Sequence, residues 1–255
     1  MLSQTILDRK LDLAAIEQQR ERIAVRILRE SAGLRDANFQ TISTSDLFEL
    51  YVHYDELFFD GEISKFFERQ DHQLKFRLSS RMTSTGGTTT YMRARSPVKK
   101  NQINRNFEIA ISTTLLFNTP FDSAVIKVGG VKTFHRLDAL QRIFEHELVH
   151  LIEMLLWDDS SCARHRFKSI VRRYFGHLES NHQLLTPSET AQAVYGIVTG
   201  DRVSFQHQGK LMRGFVNGIT RRATVLVPSR QGEVYADNRR YRRFYVPVDR
   251  LKKIG

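Results

Sequence analysis

Apolar residues at Ile6, Leu7, Leu11, Ile16, Ile23, Ile27 and Leu28 recur among helix formers from Leu2 to about Glu30, predicting an amphipathic helix that ends before Ser31 to Gly33. A second helix is expected after the cap-like Ser43 to Asp46, running through the aromatic stretch Leu47 to Phe59 and stopping at Asp60 and Gly61. The middle of the chain alternates instead. Gln73 to Leu78 and Phe107 to Ser112 have period two and read as strands of a small sheet, with Gly86 and Gly87 punctuating the segment between them. Helical spacing returns at Leu137, Leu140, Ile143, Phe144, Leu148, Leu151, Ile152 and Leu155, a broad apolar face. Asp158 to Ser161 breaks this helix, and another is expected from about Arg164 to Phe175, closed by Gly176. Thr186, Pro187 and Glu189 form a capping-box pattern with proline at the first helical position.

Beyond Gly200 the pattern becomes strand and turn. Asp201 to Phe205, Gly214 to Ile219, Ala223 to Val227 and Tyr241 to Val248 are short strands spaced as in a small β-barrel. The expected architecture is α+β: a helical extension over residues 1–40, a helical and small-sheet domain over 41–195, and a basic all-β barrel over 196–255.

Charge sharpens that division. The chain carries a net +11, and from Gly200 onward there are 13 Lys and Arg against four Asp and Glu, so the basicity belongs to the tail. Concentrated positive charge fits a polyanionic partner, above all nucleic acid. The segment Arg93 to Lys100 is basic too and reads as a solvated connection. One cysteine, Cys162, excludes an intramolecular disulfide framework and fits a reducing compartment. With no apolar run near the roughly 18 residues of a spanning helix and no apolar signal core, a cytoplasmic monomer is expected, with nucleoid association compatible.

The candidate chemistry lies at His146, Glu147 and His150. Histidines four apart on a helix project from one face and can hold a single tetrahedral zinc ion. Glu147, beside the first of them, is placed to take a proton from a water that attacks a carbonyl carbon. A catalytic zinc needs a third protein ligand, and Glu153, Asp158, Asp159, Cys162, His165 and His177 are available. Of these, Glu153 follows His150 by only three residues on the same helix and aims partly away from the metal.

With these features in order, the chain resembles the SprT-like metallopeptidases, the group that includes the DNA-dependent protease Spartan. Leu47 to Gly61 is similar to the family's aromatic first helix, Ser84 to Gly87 to its glycine turn, Ile109 to Ser112 to its sheet strand, His146 to His150 to its metal motif, and Arg166 to His177 to the following helix. The resemblance covers about residues 45–178. It implies a zincin-like α+β domain and cleavage of peptide bonds in proteins bound or crosslinked to DNA. The family carries its third ligand in a His-Gly-x-x-Phe sequence, which is absent here. Four residues before Phe167 stands Ala163, while His165 lies two before it and Cys162 five before it. Because imidazole is the family's ligand type, the resemblance points to His165, then Cys162, then His177.

The tail interleaves Tyr235, Tyr241, Phe244 and Tyr245 with Arg239, Arg240, Arg242, Arg243 and Arg250, pairing cations for phosphates with rings for bases. Gly200 to Lys210, Gly214 to Ile219 and Ala223 to Val227 resemble a KOW-type barrel. The expected protein is a zinc peptidase delivered to nucleic acid, DNA before RNA, through Arg239, Arg240, Arg242 and Arg243. The alternative is a non-catalytic nucleic-acid-binding or interaction protein with a structural zinc site, which would close the metal with four protein ligands.

Overall fold

A computed structural model of the chain describes residues 2–93, 105–121 and 125–254. All but the first residue of the basic segment Arg93 to Lys100 lies outside them. The fold is α+β and divides into two units, Met1–Leu184 and Leu185–Gly255. Among the described residues no helix is long and apolar enough to cross a membrane.

The first unit begins with two helices where the pattern predicts one: α1, Leu2–Asp8, and α2, Leu13–Glu30. The break has local causes. Asp12 caps α2 by accepting the Ala15 N–H at 2.7 Å, and Arg9 turns aside to donate to the Phe58 carbonyl at 2.9 Å and to Asp60 at 2.8 Å. Helix α3, Thr44–Phe59, starts at a full capping box between Ser43 and Asp46 and ends with Asp60 in the left-handed region at φ 54°. Asp60 and Gly61 end α3 as expected. Helix α4, Glu62–Gln70, begins at once, with the buried Asp55 carboxylate accepting the Ile63 and Ser64 N–H groups at 3.0 and 2.9 Å.

Strands β1, Gln73–Ser79, β2, Gly87–Arg93, and β3, Arg105–Ser112, form one sheet in the order β1-β3-β2. β1 runs parallel to β3 and β2 antiparallel to it, with Phe76 and Thr89 both opposite Ile109. The edge strand β2 is read as punctuation from its glycines, yet Thr88, Thr89, Thr90 and Tyr91 after them are strand formers. A short helix α5, Thr113–Asn118, and a hairpin of β4, Ile126–Val128, and β5, Val131–Thr133, come next.

Helix α6, Arg136–Trp157, is the axis of the unit. Leu137, Leu140, Phe144, Leu148, Leu151 and Ile152 are all fully buried in one cluster that also takes in Ile16, Ile23 and Ile27 of α2, Tyr54 and Phe58 of α3, and Ile109 of β3. Residues 1–40 therefore share one core with α3, α6 and the sheet rather than standing apart as an extension. Helix α7, His165–Phe175, closes at Gly176 with φ 69°, as its sequence predicts.

The second unit holds α8, Pro187–Tyr195, with the expected Thr186–Glu189 capping box, and a five-stranded antiparallel sheet. Its strands are β6, Arg202–His207, β7, Lys210–Ile219, β8, Ala223–Val234, β9, Arg240–Val246, and β10, Lys252–Lys253, in the order β10-β6-β7-β8-β9. Val203, Val216, Ala223 and Val225 form its core. The expected strands are present, but β9 and β10 are sheet edges with no pairing between them among the described residues, so the sheet is not a closed barrel.

Candidate metal centre

His146, Glu147 and His150 lie in the second half of α6, on the side facing β2 and α7. Their surroundings start from one packing decision. The fully buried Phe167 ring of α7 sits 4.7 Å from the His146 ring and 4.5 Å from that of His150, measured between centroids. Phe167 thereby holds the two imidazoles side by side, with their Nε2 atoms 3.1 Å apart. Imidazole nitrogens at about 2.05 Å from a tetrahedral metal ion would lie about 3.3 Å apart, so the pair is already close to ligand geometry. Burial lowers both histidine pKa values, that of His146 to about 3 with help from the neighbouring histidines. The neutral, metal-ligating form is thus favoured.

His150 is further oriented from behind. Its Nδ1 is 2.6 Å from the Ser160 hydroxyl, which donates to Glu153 Oε2 at 2.6 Å. With Nδ1–H donating to Ser160, the Nε2 lone pair is left for a metal. Glu153 is fully buried and also accepts from the Ser161 N–H at 3.4 Å and from Arg166 Nε at 2.6 Å. One carboxylate thereby organises the whole connection between α6 and α7. Arg166 in turn stacks 4.4 Å from the Trp157 ring.

That connection delivers Cys162. Ligand atoms of His146, His150 and Cys162 all lie within 4.8 Å of one another, so the three residues can hold a metal ion. Their donor set of two imidazoles and a thiolate suits a soft or borderline cation, and three protein ligands leave a fourth position open. His165, the ligand that the resemblance favours, is not in this group. It is the exposed first residue of α7, and a residue two positions away on a helix points about 200° round the axis. Since Phe167 faces the imidazoles, His165 faces away. The remaining candidates are engaged elsewhere: Asp158 pairs with Arg105, Asp159 with Arg164, and the buried His177 with Glu145 at 2.8 Å. A second group, Glu30, Glu49 and His53, also brings three ligand atoms within 4.8 Å; there Glu30 is already paired with His53 at 3.0 Å and with Arg29 at 2.7 Å.

Glu147 is almost wholly buried against β2. The Thr89 hydroxyl donates to its Oε2 at 2.7 Å, and a Cβ on Gly87 would lie 2.6 Å from its Cγ. Only glycine permits that approach of strand and carboxylate. Burial raises the Glu147 pKa to about 7, against the opposing effect of the Thr89 hydrogen bond. These groups line a cleft of about 530 Å³ whose other wall includes Ser180, Asn181 and His182.

Behind the site runs a buried network that no local pattern announces. The fully buried Glu145 accepts from Arg20 Nε and Nη2 at 2.7 and 3.1 Å, from Tyr54 at 2.8 Å and from His177 at 2.8 Å. Arg20 Nη2 also donates to the Phe175 carbonyl at 2.8 Å. Burial alone would push the Glu145 carboxyl up, but the guanidinium charge and these hydrogen bonds outweigh it and hold the group ionised.

In the second unit Arg239, Arg240, Arg242 and Arg243 are all exposed. Arg243 donates to the Tyr235 hydroxyl at 3.0 Å, and Arg242 lies 5.7 Å from the Phe244 ring. The interleaved aromatics divide: Tyr241 is buried and Phe244 packs on the core, while Tyr245 is 60% exposed beside Arg243.

No known protein family, curated protein or solved structure matches the chain.

Proposed function

We propose that this chain is a zinc-dependent endopeptidase of SprT-like, zincin-like character, with His146, His150 and Cys162 holding the metal and Glu147 acting as general base. The observation that carries the reading is Glu147: a purely structural site has no use for a buried carboxylate next to the first ligand, held by Thr89 and by the bare backbone of Gly87. When bound, zinc supplies Lewis acidity, polarising a scissile carbonyl and lowering the pKa of water to about 7. The rest of the chemistry falls to the chain. Glu147 accepts the proton of the attacking water on one carboxylate oxygen while Thr89 holds the other, and later gives that proton to the leaving amine. Strand β2, beside the cleft, is a sheet edge among the described residues, and its backbone can take an extended peptide.

The exposed arginines of β9 and its preceding turn, together with Tyr245, support a second role for the C-terminal unit: contact with single-stranded nucleic acid, so that proteins bound or crosslinked to DNA are the substrates. The test is cleavage of a protein crosslinked to a single-stranded oligonucleotide. The zinc-loaded chain should cut it, chelation should abolish cutting, and zinc should restore it. Alanine at Arg239, Arg240, Arg242 and Arg243 should flatten the salt dependence of oligonucleotide binding by about 0.7 in slope per lost phosphate contact. Cleavage that survives chelation rules out the zinc mechanism, and an unchanged slope rules out the arginine contact.

Gly87→Ala gives an independent check on the general base. The new Cβ must displace the Glu147 carboxylate, and a displacement on the order of 1 Å is expected to lower kcat about 100-fold with zinc content unchanged. A fully active Gly87→Ala enzyme would show that Glu147 need not sit where β2 holds it.

A further inference from the structure

Beside the catalytic cleft lies a second cavity of about 750 Å³, bounded by the outer face of α7. The two cavities share Cys162, His177, Ser180 and Asn181 in their linings, so they lie side by side. His165, Lys168 and Arg172 line it at helical spacings of three and four residues, which place them along one face of α7. Lys168 and Arg172 are exposed, and among the described residues neither side chain is engaged in an ion pair or hydrogen bond. Arg173, at the same wall, donates to the Ile6 carbonyl at 3.0 Å. Among the described residues a single carboxylate, Glu179, lines the cavity beside Lys168, Arg172 and Arg173, so the charge of this lining is positive overall. None of these cations takes part in the metal site or in the buried Glu145 network.

We propose that this cavity is a specificity subsite that accepts an acidic side chain of the substrate, Asp or Glu, close to the scissile bond, with Lys168 and Arg172 as the recognising cations. The inference rests on the peptidase reading for the direction of the chain and on the cavity itself for its charge. A pocket walled in part by Cys162 adjoins the bond being cut, and the part of a peptide substrate that lies there is a side chain. A nucleic-acid backbone instead asks for cations repeated along an open track. Two cations with no side-chain partner among the described residues gain a carboxylate without giving up an existing pair.

The test uses the full zinc-loaded chain and peptides identical except for Glu, Gln or Lys stepped through the residues flanking the cut. Wild type is expected to prefer Glu over Gln by roughly tenfold in kcat/KM at one position, and Lys168→Glu with Arg172→Glu to shift the preference to Lys at that same position. An identical ranking in both enzymes, or no preference for Glu in wild type, overturns the proposal. Binding of a fluorescent Glu peptide to zinc-loaded Glu147→Gln supplies a readout that needs no turnover. The charge reversal should weaken that binding roughly tenfold, with zinc content and Tm retained. If no peptide is cleaved but this binding loss occurs, the subsite stands and the peptidase reading fails. If an oligothymidine displaces the peptide from Glu147→Gln but not from its charge-reversed form, the cavity takes phosphates and the acidic-peptide assignment is overturned.

Discussion

Cys162→Ala should lose zinc affinity by at least about 100-fold, and His165→Ala should leave it within about twofold of wild type. The asymmetry comes from how α7 docks. Phe167 must face the imidazoles, to which it is closer than 5 Å centroid to centroid, so the helix turns His165 to the opposite side. The preceding loop, gathered onto Glu153 by Ser160, Ser161 and Arg166, brings Cys162 to within 4.8 Å of the histidine ligand atoms. Titration of each apoprotein with zinc against a competing chelator measures both constants. The Cys162 thiolate should also appear as a charge-transfer band when cobalt replaces zinc. Retained affinity in Cys162→Ala, with loss in His165→Ala, would place the third ligand on α7 and require a different docking of that helix.

Arg20→Ala should destabilise the first unit by about 3–5 kcal/mol, the usual effect of leaving a buried charge without its partner. For a unit of this size that corresponds to a fall in Tm on the order of 10 °C. Arg20 joins α2 to Glu145 of α6 and to the carbonyl at the end of α7, while Tyr54 brings α3 to the same carboxylate. Glu145 is the residue immediately before His146, so the network also sets the backbone from which the metal motif projects. A double variant, Arg20→Met with Glu145→Leu, removes both charges together and should recover part of the lost stability. Thermal unfolding monitored by circular dichroism reads both. A change under about 1 kcal/mol in Arg20→Ala would mean that water replaces the guanidinium and that the α2 contact is peripheral.

Sequence periodicity locates what depends on neighbours close in the chain. The capping boxes at Ser43 and Thr186, the left-handed closures at Asp60 and Gly176, and the full length of α6 are all legible, because each is set within a turn or two of backbone. The histidine pair is legible for the same reason. Features that join distant segments are not. Gly87 reads as punctuation until β2 is seen lying on Glu147, and no pattern singles out Arg20, whose partner Glu145 lies 125 residues away. Nor can strand spacing alone decide whether the C-terminal sheet closes, since that depends on how its edges β9 and β10 meet.

The third ligand falls between these cases. Counting back four from Phe167 reaches only Ala163, and the family's ligand type then favours the imidazole at position 165, whereas the geometry of a helix whose Phe167 is core argues against it. A ring at 167 and a ligand at 165 cannot face the same partner on one regular helix. The loop that presents Cys162 instead depends on Glu153, a residue whose spacing from His150 reads only as a poor ligand. Its placement as a buried anchor emerges once Ser160 and Arg166 are folded against it.

The most direct test of the central claim compares zinc-loaded wild type with zinc-loaded Glu147→Gln on an unstructured protein substrate, with metal content measured in the same samples. Equal zinc in the two proteins, with proteolysis by wild type and a loss of about 10²–10⁴-fold in the variant, is the predicted result. Equal zinc with equal proteolysis, or no proteolysis by wild type, would contradict the assignment of Glu147 and with it the catalytic reading of the site.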